Sequence, residues 1–177
     1  VLVVGSGGWG TALSLRLLVN GHDVVLWSYH DAEREVLETT RVNPLLPGVS
    51  LPAELRLTNS AEAAEDAEMV VFATPSFAVR TTAKTFAPYL RAEALVVSVT
   101  KGIEDGTGCR MSQIITQETG KPVVALSGPS HAEEVSRGLP TGVVAACEDR
   151  LLAERVQSAF MSDCLRVYTC PDVIGVE

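Results

Sequence analysis

Val1-Leu2-Val3-Val4-Gly5-Ser6-Gly7-Gly8-Trp9-Gly10 decides how the chain folds. A short apolar, Val-rich run reads as a strand, and it passes directly into G-x-G-x-x-G, after which Thr11 to Asn20 carries the apolar periodicity of a helix. Strand, glycine turn and helix in that order form a dinucleotide fingerprint. Gly5 permits the tight turn, Gly7 has no Cβ to hold the backbone away from a pyrophosphate, and Gly10 lets the helix approach the strand. The pyrophosphate is then received by backbone amides at the helix N-terminus.

Outward from this unit, Val-rich runs alternate with amphipathic stretches, the pattern of βαβ units around a parallel sheet. The expected strands are Val1 to Val4, Val24 to Trp27, Leu55 to Thr58, Met69 to Thr74, Leu95 to Thr100 and Val123 to Ser127. Gly142 to Ala146 and Leu165 to Tyr168 are candidates to extend the sheet. The expected helices are Thr11 to Asn20, Ala32 to Arg41, Ala61 to Asp66, Ala78 to Leu90, Cys109 to Glu118, Ala132 to Arg137 and Arg150 to Met161. The fold class is therefore α/β, a Rossmann-like doubly wound, mainly parallel sheet with helices on both faces. Residues 1–177 read as one dinucleotide-binding domain, and Asn43 to Gly48 with Pro52 as a rigid, non-helical connection within it.

Composition excludes several function classes. With 177 residues, 14 Lys and Arg, 22 Asp and Glu and a net charge of −8, the chain lacks the basic patch that nucleic acid requires. At 46% hydrophobic and 20% charged it is too apolar for disorder, yet no apolar run reaches the roughly 20 residues of a membrane span. Cys109, Cys147, Cys164 and Cys170 form no C-x-x-C pair, so neither a metal site nor a disulfide framework is expected, and the thiols read as cytosolic and reduced. Without an initiator Met or a polar tail, the chain reads as a piece of a longer protein.

In a doubly wound sheet, ligands bind beyond the C-terminal ends of the strands. The second strand ends Trp27-Ser28-Tyr29-His30 without the acid that commonly binds a ribose diol, so NADP use is permitted though not required. Tyr29 and His30 can stack on adenine or bond phosphate. Thr74-Pro75-Ser76-Phe77 ends the fourth strand, with Ser76 either a helix cap or a cofactor contact. Thr100-Lys101-Gly102 ends the fifth and delivers a cation to the cleft beside a small residue that leaves room for ligand. Ser127-Gly128-Pro129-Ser130-His131-Ala132-Glu133-Glu134 ends the sixth, where Ser130 and Glu133 have capping-box spacing and Gly128 allows close approach. His131 is assigned no general-base role, because no partner carboxylate is fixed.

These segments, in order, resemble the NAD(P)-dependent glycerol-3-phosphate dehydrogenases of the soluble bacterial type. The resemblance rests on Gly5 to Ala12, Asn43 with Leu46-Pro47-Gly48, Lys101-Gly102-Ile103-Glu104, Ser127 to Val135, Pro140-Thr141, and Arg166-Val167-Tyr168 with Asp172 to Glu177. It implies that Gly8, Trp9, Tyr29 and His30 contact the dinucleotide and that Ala132 lies against its nicotinamide end. It also implies that Lys101 meets both cofactor and substrate, assisting catalysis, and that Gly128 and Ser130 contact glycerol phosphate.

The activity so implied is reversible hydride transfer between NAD(P)H and dihydroxyacetone phosphate, giving sn-glycerol 3-phosphate for glycerophospholipid synthesis in the cytoplasm, with the cofactor balance tipped slightly to NADPH. The family's proton-transfer lysine is expected beyond Glu177, in a helical C-terminal domain missing from this chain, so the chain alone is expected to be inactive. Any homodimer is expected to form through that domain. Two other readings stay open: the cofactor domain of another two-domain dehydrogenase, of hydroxy acid or phosphogluconate type, and a dinucleotide-sensing module.

Overall fold

The computed structural model describes residues 1–177. β1 (Leu2–Val4), β2 (Val25–Trp27), β3 (Arg56–Thr58), β4 (Met69–Phe72), β5 (Leu95–Ser98), β6 (Val123–Ser127), β7 (Thr141–Ala146) and β8 (Leu165–Cys170) form one sheet in the order β3-β2-β1-β4-β5-β6-β7-β8. All neighbours from β3 to β6 pair in parallel; β7 joins β6 antiparallel, and β8 runs parallel to β7. The chain order reverses between β1 and β4, which opens a crevice beyond their C-terminal ends.

The central strands are apolar on both sides because each feeds two cores. Val3, Val71, Val97 and Val124 face a large cluster with Leu13, Leu37, Val135, Val156 and Phe160, from α1 (Gly8–Val19), α2 (Asp31–Thr40), α5 (Ala132–Ser136) and α6 (Arg150–Phe160). Val4, Val70, Phe72 and Val96 face the other, with Phe86 and Ile114 from α3 (Val79–Phe86) and α4 (Met111–Thr119). In that second cluster the Phe86 ring meets Trp27 edge-on at 5.3 Å and Phe72 at 6.2 Å.

Several boundaries differ from expectation. α1 begins at Gly8, inside the glycine motif, with Gly7 as its extended N-cap. β4 and β5 end at Phe72 and Ser98, short of the expected Thr74 and Thr100, with the Ala73 and Val99 amides still donating to the Val4 and Phe72 carbonyls. Ala61 to Asp66 is a 3-10 turn, Ala61–Ala64, capped by the Ser60 hydroxyl. The stretch from Ala78 to Leu90 is divided, since α3 gives way at Phe86 to a 3-10 turn, Ala87–Tyr89, that accommodates Pro88. The two candidate late strands do extend the sheet. An unforeseen short helix, α7 (Val173–Val176), is capped by Asp172, and Glu177 after it accepts hydrogen bonds from Arg110 and the Ser112 amide.

Candidate functional site

A cleft of about 900 Å³ opens at the strand reversal. Of the residues expected at the site, all but Gly10 and Gly128 line it. Gly5, Gly7, Gly8 and Trp9 form its floor at the start of α1, Tyr29 and His30 the end beyond β2, and Lys101, Ser130 and Ala132 the opposite end. Gly10 lies behind the floor, where an added Cβ would overlap the Gly5 carbonyl, and this lets α1 sit tight on the β1 turn. Gly5 adopts φ +122°, and its own Cβ would stand 2.7 Å from the Ala73 carbonyl oxygen. A Cβ on Gly7, by contrast, would meet nothing within 4 Å.

The connection after α2, expected only to be rigid, braces this floor. Buried Asn43 donates to the Ser6 carbonyl at 2.8 Å and the Thr11 hydroxyl at 2.7 Å, and the Leu45 carbonyl packs so close to Gly8 that a Cβ there would lie 2.9 Å from it. No acidic residue occupies the first turn of α1, so its amides present an uncompensated positive end to the cleft.

Lys101 is held rather than free. Its ammonium donates to the Gly128 carbonyl at 3.0 Å, the same oxygen that accepts from the Ser130 hydroxyl at 3.3 Å, so the three substrate-side residues form one cluster. Three local expectations are corrected here. Ser130 does not cap α5; His131 takes the N-cap position, and Ser130 turns back to Gly128 instead. The space left by Gly102 is filled by Ser76, whose Cβ would stand 2.7 Å from an added one; Gly128 gives β7 its close approach, an added Cβ standing 3.0 Å from the Gly142 carbonyl oxygen, while its own carbonyl receives Lys101 and Ser130. Ser76 begins a 3-10 turn and caps nothing.

The lysine loop is fixed from behind by Arg80 on α3. Its guanidinium donates to both Glu104 carboxylate oxygens, at 2.7 and 2.6 Å, and Thr107 adds a bond at 2.6 Å. The Arg80 bonds, with Thr107 assisting, hold the Glu104 carboxyl at about 2, below its ordinary 4.5. A depressed carboxyl contributes stability that is whole above the unfolded value and lost as pH falls from about 4.5 through about 2. Arg80→Ala is therefore expected to lower stability at neutral pH and to lose that deficit progressively below pH 4.5. Unfolding curves across that window test it, and a deficit independent of pH would refute the assignment.

The sequence reading missed four contributors. Glu33, in the first turn of α2, reaches the cleft wall, so the cleft holds a carboxylate although the end of β2 itself carries none. It stands at the spacing, about 20 residues past the glycines, at which such acids occur. Thr74 lines the cleft with its buried hydroxyl oxygen unpartnered. Phe77 and Leu45, 88% and 61% exposed, line the cleft with Tyr29 and add apolar surface to its wall. An open helix N-terminus, an orphaned hydroxyl and room at Gly7 together fit a bound dinucleotide.

Comparisons with known proteins identify the family. Residues 1–153 match the family model described as NAD-dependent glycerol-3-phosphate dehydrogenase N-terminus. The chain is 46% identical, over all of its length and 51% of the relative's, to glycerol-3-phosphate dehydrogenase [NAD(P)+] of Desulfitobacterium hafniense. It is 47% identical to the enzyme so named from Pelotomaculum thermopropionicum, again over all of this chain and 52% of that one. Among solved structures, glycerol-3-phosphate dehydrogenase of Coxiella burnetii superposes with a TM-score of 0.93 at 31% identity, over 99% of this chain and 55% of that one. A ketopantoate reductase from Ralstonia eutropha, 18% identical with a TM-score of 0.73, shares the fold alone. The chain spans about half the length of the curated relatives it matches. With a matched N-terminal model, whole-chain identity and the same sheet, the chain belongs to the NAD-dependent glycerol-3-phosphate dehydrogenase family, in its N-terminal part.

Proposed function

We propose that this chain is the cofactor-binding domain of an oxidoreductase that interconverts dihydroxyacetone phosphate and sn-glycerol 3-phosphate with NAD(H) or NADP(H). The observation that carries the proposal is the cleft at the strand reversal, with the glycine floor at its centre and the Lys101 cluster at one end. When bound, the nicotinamide cofactor supplies or accepts the hydride.

The protein's own groups bind and orient. Amides of Gly8 and Trp9 at the open end of α1 receive the pyrophosphate, and the Thr74 hydroxyl is left to bond ligand. Gly10 supports that floor, while Tyr29 and His30 hold the adenine end and Ala132 flanks the nicotinamide end. Lys101, fixed on the Gly128 carbonyl, places a cation where negative charge develops on the carbonyl oxygen as it is reduced, with Gly128 and Ser130 beside the glycerol phosphate. The proton-transfer group and the phosphate grip belong to a helical substrate domain in the remaining length of the protein. No helix of this chain is long and apolar enough to cross a membrane.

The full-length chain is expected to oxidise NADH or NADPH on addition of dihydroxyacetone phosphate. Lys101→Ala is expected to lower kcat/KM at least about tenfold, equivalent to about 1.4 kcal/mol of transition-state stabilisation. An unchanged kcat/KM would remove Lys101 from the reaction, and no turnover with either cofactor would overturn the proposed substrate.

A further inference from the structure

We propose that Glu33 makes this site selective for NAD(H) over NADP(H), reversing the slight tilt to NADPH expected from the sequence. The proposal rests on the dinucleotide reading above. Ser6, the second residue of the glycine loop, donates its hydroxyl to Glu33 Oε1 at 3.0 Å, and Ser28, directly after β2, donates to Oε2 at 3.2 Å. The two serines are 4% and 0% exposed and stand 2.9 Å from each other, so both carboxylate oxygens are held by buried partners from two different loops. This fixes the carboxylate on the cleft wall beside the C-terminal end of β2.

In a doubly wound sheet, that end receives the adenosine ribose. Each carboxylate oxygen retains a lone pair beyond the serine bond, and a ribose diol donates to such acceptors. A 2′-phosphate has only acceptors and negative charge to offer them. Compensation would need a guanidinium nearby, and the arginines of α2 and of its C-cap are engaged elsewhere. Arg34 binds Glu38, with Asp31 and Glu35 also within 4 Å, and Arg41 donates to the carbonyls of Pro52 and Leu55. Lys101 is the only lysine or arginine lining the cleft, and it sits at the opposite end on Gly128.

Titration of the full-length chain with NADH and with NADPH, followed by nicotinamide fluorescence at fixed salt, tests the proposal. The unmodified protein is expected to bind NADH at least about tenfold more tightly. Glu33→Gln keeps the shape and one acceptor while removing the charge, and is expected to shrink that ratio to about threefold or less, chiefly by strengthening NADPH binding. Equal affinity in the unmodified protein, or an unchanged ratio in Glu33→Gln, would overturn the selectivity while leaving the dinucleotide site intact. Binding of neither cofactor would overturn the site and the selectivity together. Should Glu33→Gln fail to fold, competition on the unmodified protein decides: adenosine 5′-diphosphate displaces NADH better than adenosine 2′,5′-diphosphate if the proposal holds, and equally or worse if it does not.

Discussion

Gly10→Val is expected to destabilise the protein by at least about 3 kcal/mol, the upper part of the range for overpacking, and to abolish dinucleotide binding. The Cβ alone would overlap the Gly5 carbonyl and stand 3.1 Å from the Ala73 Cβ. Both obstacles belong to the β1 and β4 ends that form the cleft floor, and a backbone carbonyl cannot rotate away as a side chain can. Relief requires α1 to lift from the sheet, which displaces Gly8 and Trp9 from the site they floor. Gly7→Ala is the control. Its Cβ meets no protein atom within 4 Å and the residue has an extended backbone, so stability is expected to stay within about 0.5 kcal/mol while dinucleotide affinity falls at least about tenfold. Denaturant unfolding and cofactor titration on both variants separate packing from binding, and a Gly10→Val protein of ordinary stability would contradict the close approach.

The second large effect lies in the core. Phe86→Ala is expected to cost about 3–5 kcal/mol, because the ring is wholly buried and removing it leaves a cavity between α3 and the sheet. The same ring makes edge-on contacts with Phe72 and Trp27, each of a kind that contributes about 0.5–1.5 kcal/mol beyond area burial. For a domain of this size the melting temperature falls about 2–4 °C per kcal/mol, so a drop of at least about 6 °C is expected by calorimetry. Trp27 lines the cleft and anchors its indole on the Asn59 carbonyl at 2.9 Å. Weaker cofactor binding should therefore accompany the loss of stability, though Phe86 itself does not line the cleft. A melting temperature within 2 °C of the unmodified protein would refute the packing account.

Much of the site was legible because it depends on local order along the chain. A β-rich run, three spaced glycines and an apolar period placed the floor at Gly5 to Gly10, and alternation of strands and helices put Lys101 and Ser130 at strand ends, hence on one edge of the sheet. What escaped depends on how segments fold back. Asn43 sits in a proline-bounded connection whose sequence specifies stiffness but not destination; only the packed chain brings its amide under Ser6. Glu33 was overlooked because the ribose acid was sought at the end of β2, whereas one helical turn of α2 carries the carboxylate back to that same wall.

By itself, the sequence determined the doubly wound sheet, the glycine loop at its first turn and the edge on which a ligand binds. Each of these follows from backbone sterics and from the period of apolar residues, which neighbouring positions along the chain settle between them. The tertiary structure alone decided which glycines make room for protein and which for ligand: Gly102 and Gly128 are filled by Ser76 and β7, while Gly7 stays open. It also decided which charges reach the cleft, since Arg34 and Arg41 are held by partners of their own and Glu33 is not neutralised by them. Charge and space at a point are sums over residues remote in sequence, so they exist only once the chain has packed.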